Sequence, residues 1–176
     1  MKIDFLKLRS MLAGYSPDKM EEEWEVLKKH LSLICCQAND RLPVSPGDIY
    51  FLAEGVILKY KDEKVCRIIK SQQLVFVPLH PHNKRFYALK DCRLLVLGRS
   101  SLYDIVVAYP RVLYIYDGLL DLWHEQSQDR TDLLEMTKVL RVEYFKSMHG
   151  DVINYMSRRD IARYIGLSEE YLRRLF

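Results

Sequence analysis

The 176-residue sequence is short of several things that would have named a function class outright. It has no apolar run near the ~20 residues that a bilayer-spanning helix needs. Its first twelve residues carry Lys2, Asp4, Lys7 and Arg9, so they lack the uninterrupted apolar region of a secretory signal. The expectation is a cytoplasmic protein with no membrane partner. Only four cysteines occur (Cys35, Cys36, Cys66 and Cys92) and none forms a Cys-x-x-Cys pair. In a reducing cytosol they read as small buried hydrophobes ahead of a redox or metal role. No Gly-rich phosphate loop, nucleophile elbow or His-Glu-x-x-His is present, so an enzyme is not expected, and neither is a cofactor or a metal.

Charge of one sign is lacking too. The 27 basic and 24 acidic residues leave a net charge of +3, which alone argues for neither nucleic acid nor membrane. The distribution is uneven. Residues 51–100 hold ten basic and four acidic residues, whereas residues 101–150 hold five and eight. His80-x-His82 lies in this basic quarter beside Lys84 and Arg85. The pair is a weak metal site, because no carboxylate or cysteine lies at ligand spacing. Lys84 and Arg85 are candidates for an anion-attracting, effector-binding rim, with a solvated basic face as the plainer reading.

The chain begins helical. Residues 3–13 place apolar residues at 5, 8 and 12 before Gly14. Ser16-Pro17 reads as a helix start, with Trp24, Leu27 and Leu31 forming the stripe of a second helix. From Leu31 to Leu97 seven short β-rich runs alternate with turn residues, the texture of a small antiparallel roll. After Gly98 the sequence turns helical again. Ser101–Tyr109 is a short helix. A longer one runs from Pro110 to about Gln128, with Val112, Leu113, Tyr116, Leu119, Leu120 and Trp123 on its apolar side. Glu125–Arg130 reads as a polar hinge. A further helix, Thr131–His149, would turn Leu133, Leu134, Thr137, Leu140, Tyr144 and Met148 inward and close at Gly150.

The sharpest signal is the last twenty residues. Ser157 and Asp160 form a capping-box-like start, and Ile161 and Ile165 share one helix face. Ala162 is small where helices approach, and Gly166 suits a left-handed turn. Ser168 caps a second helix, whose Leu172 and Leu175 return to the core. This is the spacing of a DNA-binding helix-turn-helix. An ordinary helical hairpin explains the apolar positions equally well, but not Ala162, Gly166 and Ser168 together with exposed arginines. The candidate DNA-reading residues are Ser168, Glu169, Glu170, Arg173 and Arg174, residue types that bond base edges and phosphates.

The combination resembles the Crp/Fnr family of bacterial transcription regulators over residues 31–176. Two stretches carry the likeness: the glycine-punctuated hairpin from Pro46-Gly47-Asp48 through Gly55 to Tyr60, and Ser157–Phe176. The resemblance implies an α+β fold. N-terminal helices and an antiparallel, cyclic-nucleotide-binding-like β-roll would occupy residues 1–110, a dimerisation helix 111–130, and a helix-turn-helix DNA-binding unit 131–176. It implies a homodimer joined through the long helix (Val112, Leu113, Tyr116, Leu119, Leu120 and Trp123) and a palindromic double-stranded DNA operator. RNA polymerase and a small-molecule effector on the roll are further partners that it allows. Glu170 and Arg174 match the base-reading pair of the family, whereas Glu169 stands where relatives carry arginine. Leu74–Leu89, with Val77–Phe86 inside it, stands in place of the phosphate cassette, and the spaced N-terminal cysteines of the iron–sulfur branch are missing. The sequence stops at the second helix, where relatives continue into a wing, so the expectation is either a short form or a tail outside this sequence. A homodimeric, sequence-specific DNA-binding regulator is the leading expectation. The replaced cassette, the absent wing and the small charge of the C-terminal segment support the alternative of a ligand-binding or protein-interaction module of the same fold that no longer binds DNA.

Overall fold

The computed structural model describes residues 2–13, 21–80 and 83–175. Two helices, α1 (Lys2–Leu12) and α2 (Glu21–His30), precede seven strands. The strands are β1 (Leu31–Cys36), β2 (Ile49–Glu54), β3 (Val56–Lys61), β4 (Lys64–Lys70), β5 (Gln73–Phe76), β6 (Lys84–Ala88) and β7 (Cys92–Leu97). Five helices follow: α3 (Arg99–Ala108), α4 (Val112–Glu135), α5 (Lys138–His149), α6 (Arg158–Ile165) and α7 (Glu169–Leu175), with a 3-10 turn at Ile153–Tyr155 between α5 and α6. The strands form two antiparallel sheets, ordered β1-β7-β2-β5 and β4-β3-β6. The fold is therefore α+β, and all seven expected strands are present. The expected Ser16-Pro17 helix start, Pro81 and His82 lie outside the described residues.

Each sheet is apolar on both faces, which gives four layers. Ile49, Phe51, Ala53, Leu74, Leu95 and Leu97 point from the first sheet to α1, α2, α3 and α4. Tyr50, Leu52, Leu94 and Val96 point the other way and meet Ile57, Ile69 and Phe86 of the second sheet. The outer face of that second sheet, at Val56, Leu58, Val65 and Ile68, carries the C-terminal helices through Phe145, Ile161, Tyr164, Ile165 and Leu172. Period-2 alternation puts successive side chains into different cores, so strands such as β2 read as continuous apolar runs.

Helix α4 corrects the expected hinge. At 24 residues, about 36 Å by its rise per residue, it runs unbroken through Glu125–Arg130. Its first half joins the core over the first sheet, and Leu133 near its end is buried in the core over the second. Between them it crosses the β4–β5 corner, where Gln126 accepts from Leu74 N–H (3.0 Å) and donates to the Gln72 carbonyl (3.3 Å). The stretch is polar because it bridges the corner of the roll. The break falls at Met136 and Thr137. That shifts the register of α5, whose buried residues are Val142, Phe145 and His149. Leu140 and Met148 are about half exposed and Thr137 is exposed, against expectation. Gly150 is right-handed, not a left-handed stop, and leads into the 3-10 turn.

Two arginines tie the helix ends together. Arg141 donates to the carbonyls of Met136 (2.9 Å), Leu134 (2.6 Å) and Ile165 (3.3 Å), binding the C-termini of α4 and α6 in one guanidinium. Arg130 donates to the Tyr164 and Arg163 carbonyls and lies over the Tyr164 ring. Helix C-termini carry partial negative charge and unsatisfied carbonyls, so cations belong there.

His149 is enclosed by Phe145 and Tyr164, with Nδ1 unpartnered among the described residues. Burial, aided by Lys70 and opposed by Asp151, pulls its pKa from 6.5 down to about 4. The unfolded chain then binds the proton more readily. Stability should be full above pH 6.5 and fall as the pH drops toward 4, by about 3 kcal/mol. Urea unfolding as a function of pH measures this, and the decline should flatten in His149→Phe. Arg141→Met should cost about 2–4 kcal/mol by stranding three carbonyls, with Arg141→Lys recovering only part of the loss in the same assay.

Candidate nucleic-acid interface and effector cavity

The turn between α6 and α7 is built from the residues that the sequence singles out. Ser157 Oγ accepts from Asp160 N–H (3.0 Å) and donates to the Asp160 carboxylate (2.7 Å), a reciprocal cap on α6. Gly166 is left-handed at φ +70, and Leu167 N–H closes on the Ala162 carbonyl at 2.9 Å. The left-handed φ favours glycine, and a Cβ there would also press on the ends of two side chains, a Leu134 methyl at 2.9 Å and the Arg141 guanidinium at 3.1 Å. Ser168 Oγ accepts from Tyr171 N–H at 3.1 Å and starts α7.

Helix α7 faces two ways. Leu172 is buried against Ile161, Ala162 and Ile165, while Ser168, Glu169, Glu170, Arg173 and Arg174 are exposed. The five candidate DNA-reading residues thus share one accessible stretch. Ser168 has its hydroxyl engaged in capping. Arg174 Nη2 donates to Glu170 Oε1 at 2.6 Å, so the two residues matched to a base-reading pair hold each other in the free protein.

The α5–α7 unit is fastened to the roll by polar contacts as well as by its core. Tyr60 donates to Asp160 (3.4 Å), and Arg163 to the Glu63 carbonyl (3.1 Å). Lys70 reaches the Met148 carbonyl and the Asp151 carboxylate, and Lys90 lies over the Tyr155 ring.

Lys84 and Arg85, grouped by the sequence, are parted by the structure. They are consecutive residues of β6 and point to opposite faces. Lys84 lines a cavity of about 520 Å³ between the roll, α3 and α4, with Lys59 and Arg99. Its walls are apolar: Phe76 packs against Trp123 and Tyr116 at centroid distances of 5.6 and 6.3 Å. Burial holds the Lys59 ammonium below its usual range, opposed by Cys66 and aided by Lys84 and Arg67. Gly47, at φ +85, lets the chain pass where a Cβ would meet the Arg99 side chain at 2.6 Å. Such a cavity suits an apolar anion. Sequence reasoning missed Lys59 and Arg99. The signal for Lys59 was a lysine interrupting the apolar run Val56-Ile57-Leu58 at an inward-facing register. Arg85 lines a separate cavity on the outer face.

The six candidate dimerisation residues also divide. Val112 and Leu119 are buried within the chain's own core at 1% and 5% exposure. Tyr116, Leu120 and Trp123 are half-buried and Leu113 is exposed, with exposed Tyr114 beside it. Of the six, Leu113, Tyr116, Leu120 and Trp123 have surface to offer a second copy.

No family model matches the sequence, and no curated protein is detectably similar to it. Solved structures are. A Crp/Fnr-family transcriptional regulator from Eubacterium rectale superposes with a TM-score of 0.66 at 12% identity, covering 92% of this chain and 85% of that one. The c-di-GMP-responsive global regulator CLP of Xanthomonas campestris gives 0.61 at 17% identity, over 88% and 89%. FixK2 of Bradyrhizobium japonicum gives 0.61 at 19%, over 82% of each chain. No helix among the described residues is long and apolar enough to cross a membrane. The chain has the fold of Crp/Fnr regulators, built on a cyclic-nucleotide-binding-like roll.

Proposed function

We propose that the protein is a homodimeric, sequence-specific DNA-binding transcription regulator. The observation that carries this reading is the two-sided construction of α7. Its apolar side is locked onto α6, and its polar side, at Ser168, Glu169, Glu170, Arg173 and Arg174, is exposed. In a dimer, two such helices would enter successive major grooves about 34 Å apart on a palindromic operator. Arg174 would read guanine or grip phosphate, and Glu170 would accept from cytosine. Leu113, Tyr116, Leu120 and Trp123 would join the long helices. Lys84, with Lys59 and Arg99, would hold an anionic effector whose apolar body lies against Phe76 and Trp123. Contact with RNA polymerase belongs to the same reading. The replaced phosphate cassette speaks against cyclic-nucleotide binding in the family's usual geometry.

The second reading, a module of this fold that no longer binds DNA, draws on the two glutamates at the start of α7, which repel phosphate. A salt series separates the two: a DNA binder loses affinity steeply as salt rises, whereas the module shows no complex even at low salt.

Selection of random duplexes by the purified protein should enrich a palindrome; enrichment of no sequence overturns the proposal. On the selected duplex, Arg174→Ala should cost ~1–3 kcal/mol and relax specificity at one base pair per half-site. Leu113→Glu should shift the sedimentation of the protein to that of a monomer and lower operator affinity, while leaving the monomer folded by circular dichroism.

A further inference from the structure

The outer face of the β4-β3-β6 sheet is only half covered. α6 lies over β4, but toward β6 the face opens into a cavity of about 600 Å³, on the opposite side of the sheet from the lysine-lined one. Its floor is apolar, from Leu58, Ala88 and Leu89, and two rings stand on it. Tyr60 and Tyr87 meet edge to face with centroids 5.6 Å apart and planes at 89°. The rim carries both signs of charge, Arg85 against Asp62 and Glu63, with the amides of Asn39 and Asn83 between. Among the described residues Arg85, Asp62 and Glu63 form no ion pair with one another or with any other group. The rim is tied in place, because Asp62 N–H donates to the Asn83 carbonyl at 3.2 Å and joins the two turns.

Unspent charges of both signs around an aromatic floor select their ligand by elimination. A simple anion drawn to Arg85 is repelled by two carboxylates, and a simple cation drawn to them meets the guanidinium. A ligand that brings both charges satisfies both. The guanidinium fork matches a carboxylate, the acidic pair matches an ammonium, and the tyrosines match a flat apolar body. We propose that this cavity is a second small-molecule site, which takes a free α-amino acid with an aromatic side chain. The site shares its walls with the seat of α6. Tyr60, part of its floor, donates to Asp160, and the Glu63 carbonyl, on its rim, accepts from Arg163. An occupant therefore touches the residues that set α6 on the roll.

Calorimetric titration of the full chain with L-phenylalanine, L-tyrosine and L-tryptophan tests this and needs no DNA, so it stands apart from the fate of the regulator reading. Saturable binding is expected for at least one. N-acetyl-L-phenylalanine, which lacks the ammonium, and L-phenylalaninamide, which lacks the carboxylate, should each bind ~10-fold more weakly, the scale of one charge-assisted hydrogen bond. Arg85→Gln should weaken binding of the free amino acid by a similar factor with no change in melting temperature, and Lys64→Gln should leave it unchanged. Absence of saturable heat with all three amino acids overturns the proposal. So does equal binding of the blocked derivatives or of L-leucine, or an Arg85→Gln protein that binds like the original.

Discussion

Over β4 and the adjoining part of β3 the outer face of the second sheet is apolar, and the arrangement of the C-terminal half follows from that. Val56, Leu58, Val65 and Ile68 point away from the interior of the roll and are all under 6% exposed. Burying such side chains is worth roughly 1.5–3 kcal/mol each. Something apolar must cover them, and within this chain the cover is α5, α6 and α7. The unit that carries the candidate DNA-reading surface is thus seated directly on the roll, through a shared core and through the Tyr60, Lys70, Lys90 and Arg163 contacts at its margin.

Helix α4 makes that seating compatible with the rest of the fold. It leaves the core over the first sheet, rounds the corner of the roll at Gln126, and ends in the core over the second. Along the way it borders the lysine-lined cavity at Leu113, Tyr116 and Trp123, and beyond the corner it grips the end of α6 with Arg130. No break lies between these points. The cavity wall at Trp123 and the turn at Gly166 are connected by one continuous rod, and Arg141 fastens the far end of that rod to the same turn. Coupling between sites requires an element that both can bias, and α4 touches both.

Where side chains had one job, the sequence was legible. The seven strands stood out because turn residues separated them, and the α6–α7 turn because Ala162, Gly166 and Ser168 each have a narrow steric or capping reason to be there. Face assignments in the strands were not legible, since burial on both sides erases the alternation that normally marks a core face. The hinge was misplaced for a related reason. Loss of apolar periodicity at Glu125–Arg130 signalled a loop, yet all six residues are compatible with helix, and they are polar because the helix spans a corner. The true break at Met136-Thr137 has no glycine or proline to announce it. The site was half legible. The exposed residues of α7 could be named from spacing. Lys84 and Arg85 looked like one cluster, and only strand geometry separates them. Lys59 and Arg99, distant in sequence, could not be joined to Lys84 without the fold.

The shared core over the second sheet also bears on how this protein can change by descent. A helix-turn-helix that hangs from a linker can be exchanged for another as a unit, because its hydrophobic interior is its own. Here that interior is partly made of strand residues, so Val56, Leu58, Val65 and Ile68 belong to two structures at once. A recombination that replaced the last forty residues would strand those four in solvent or mismatch them against new helices. Roll and helices are bound to vary together, while the solvent face of α7, which takes no part in that core, can change one residue at a time.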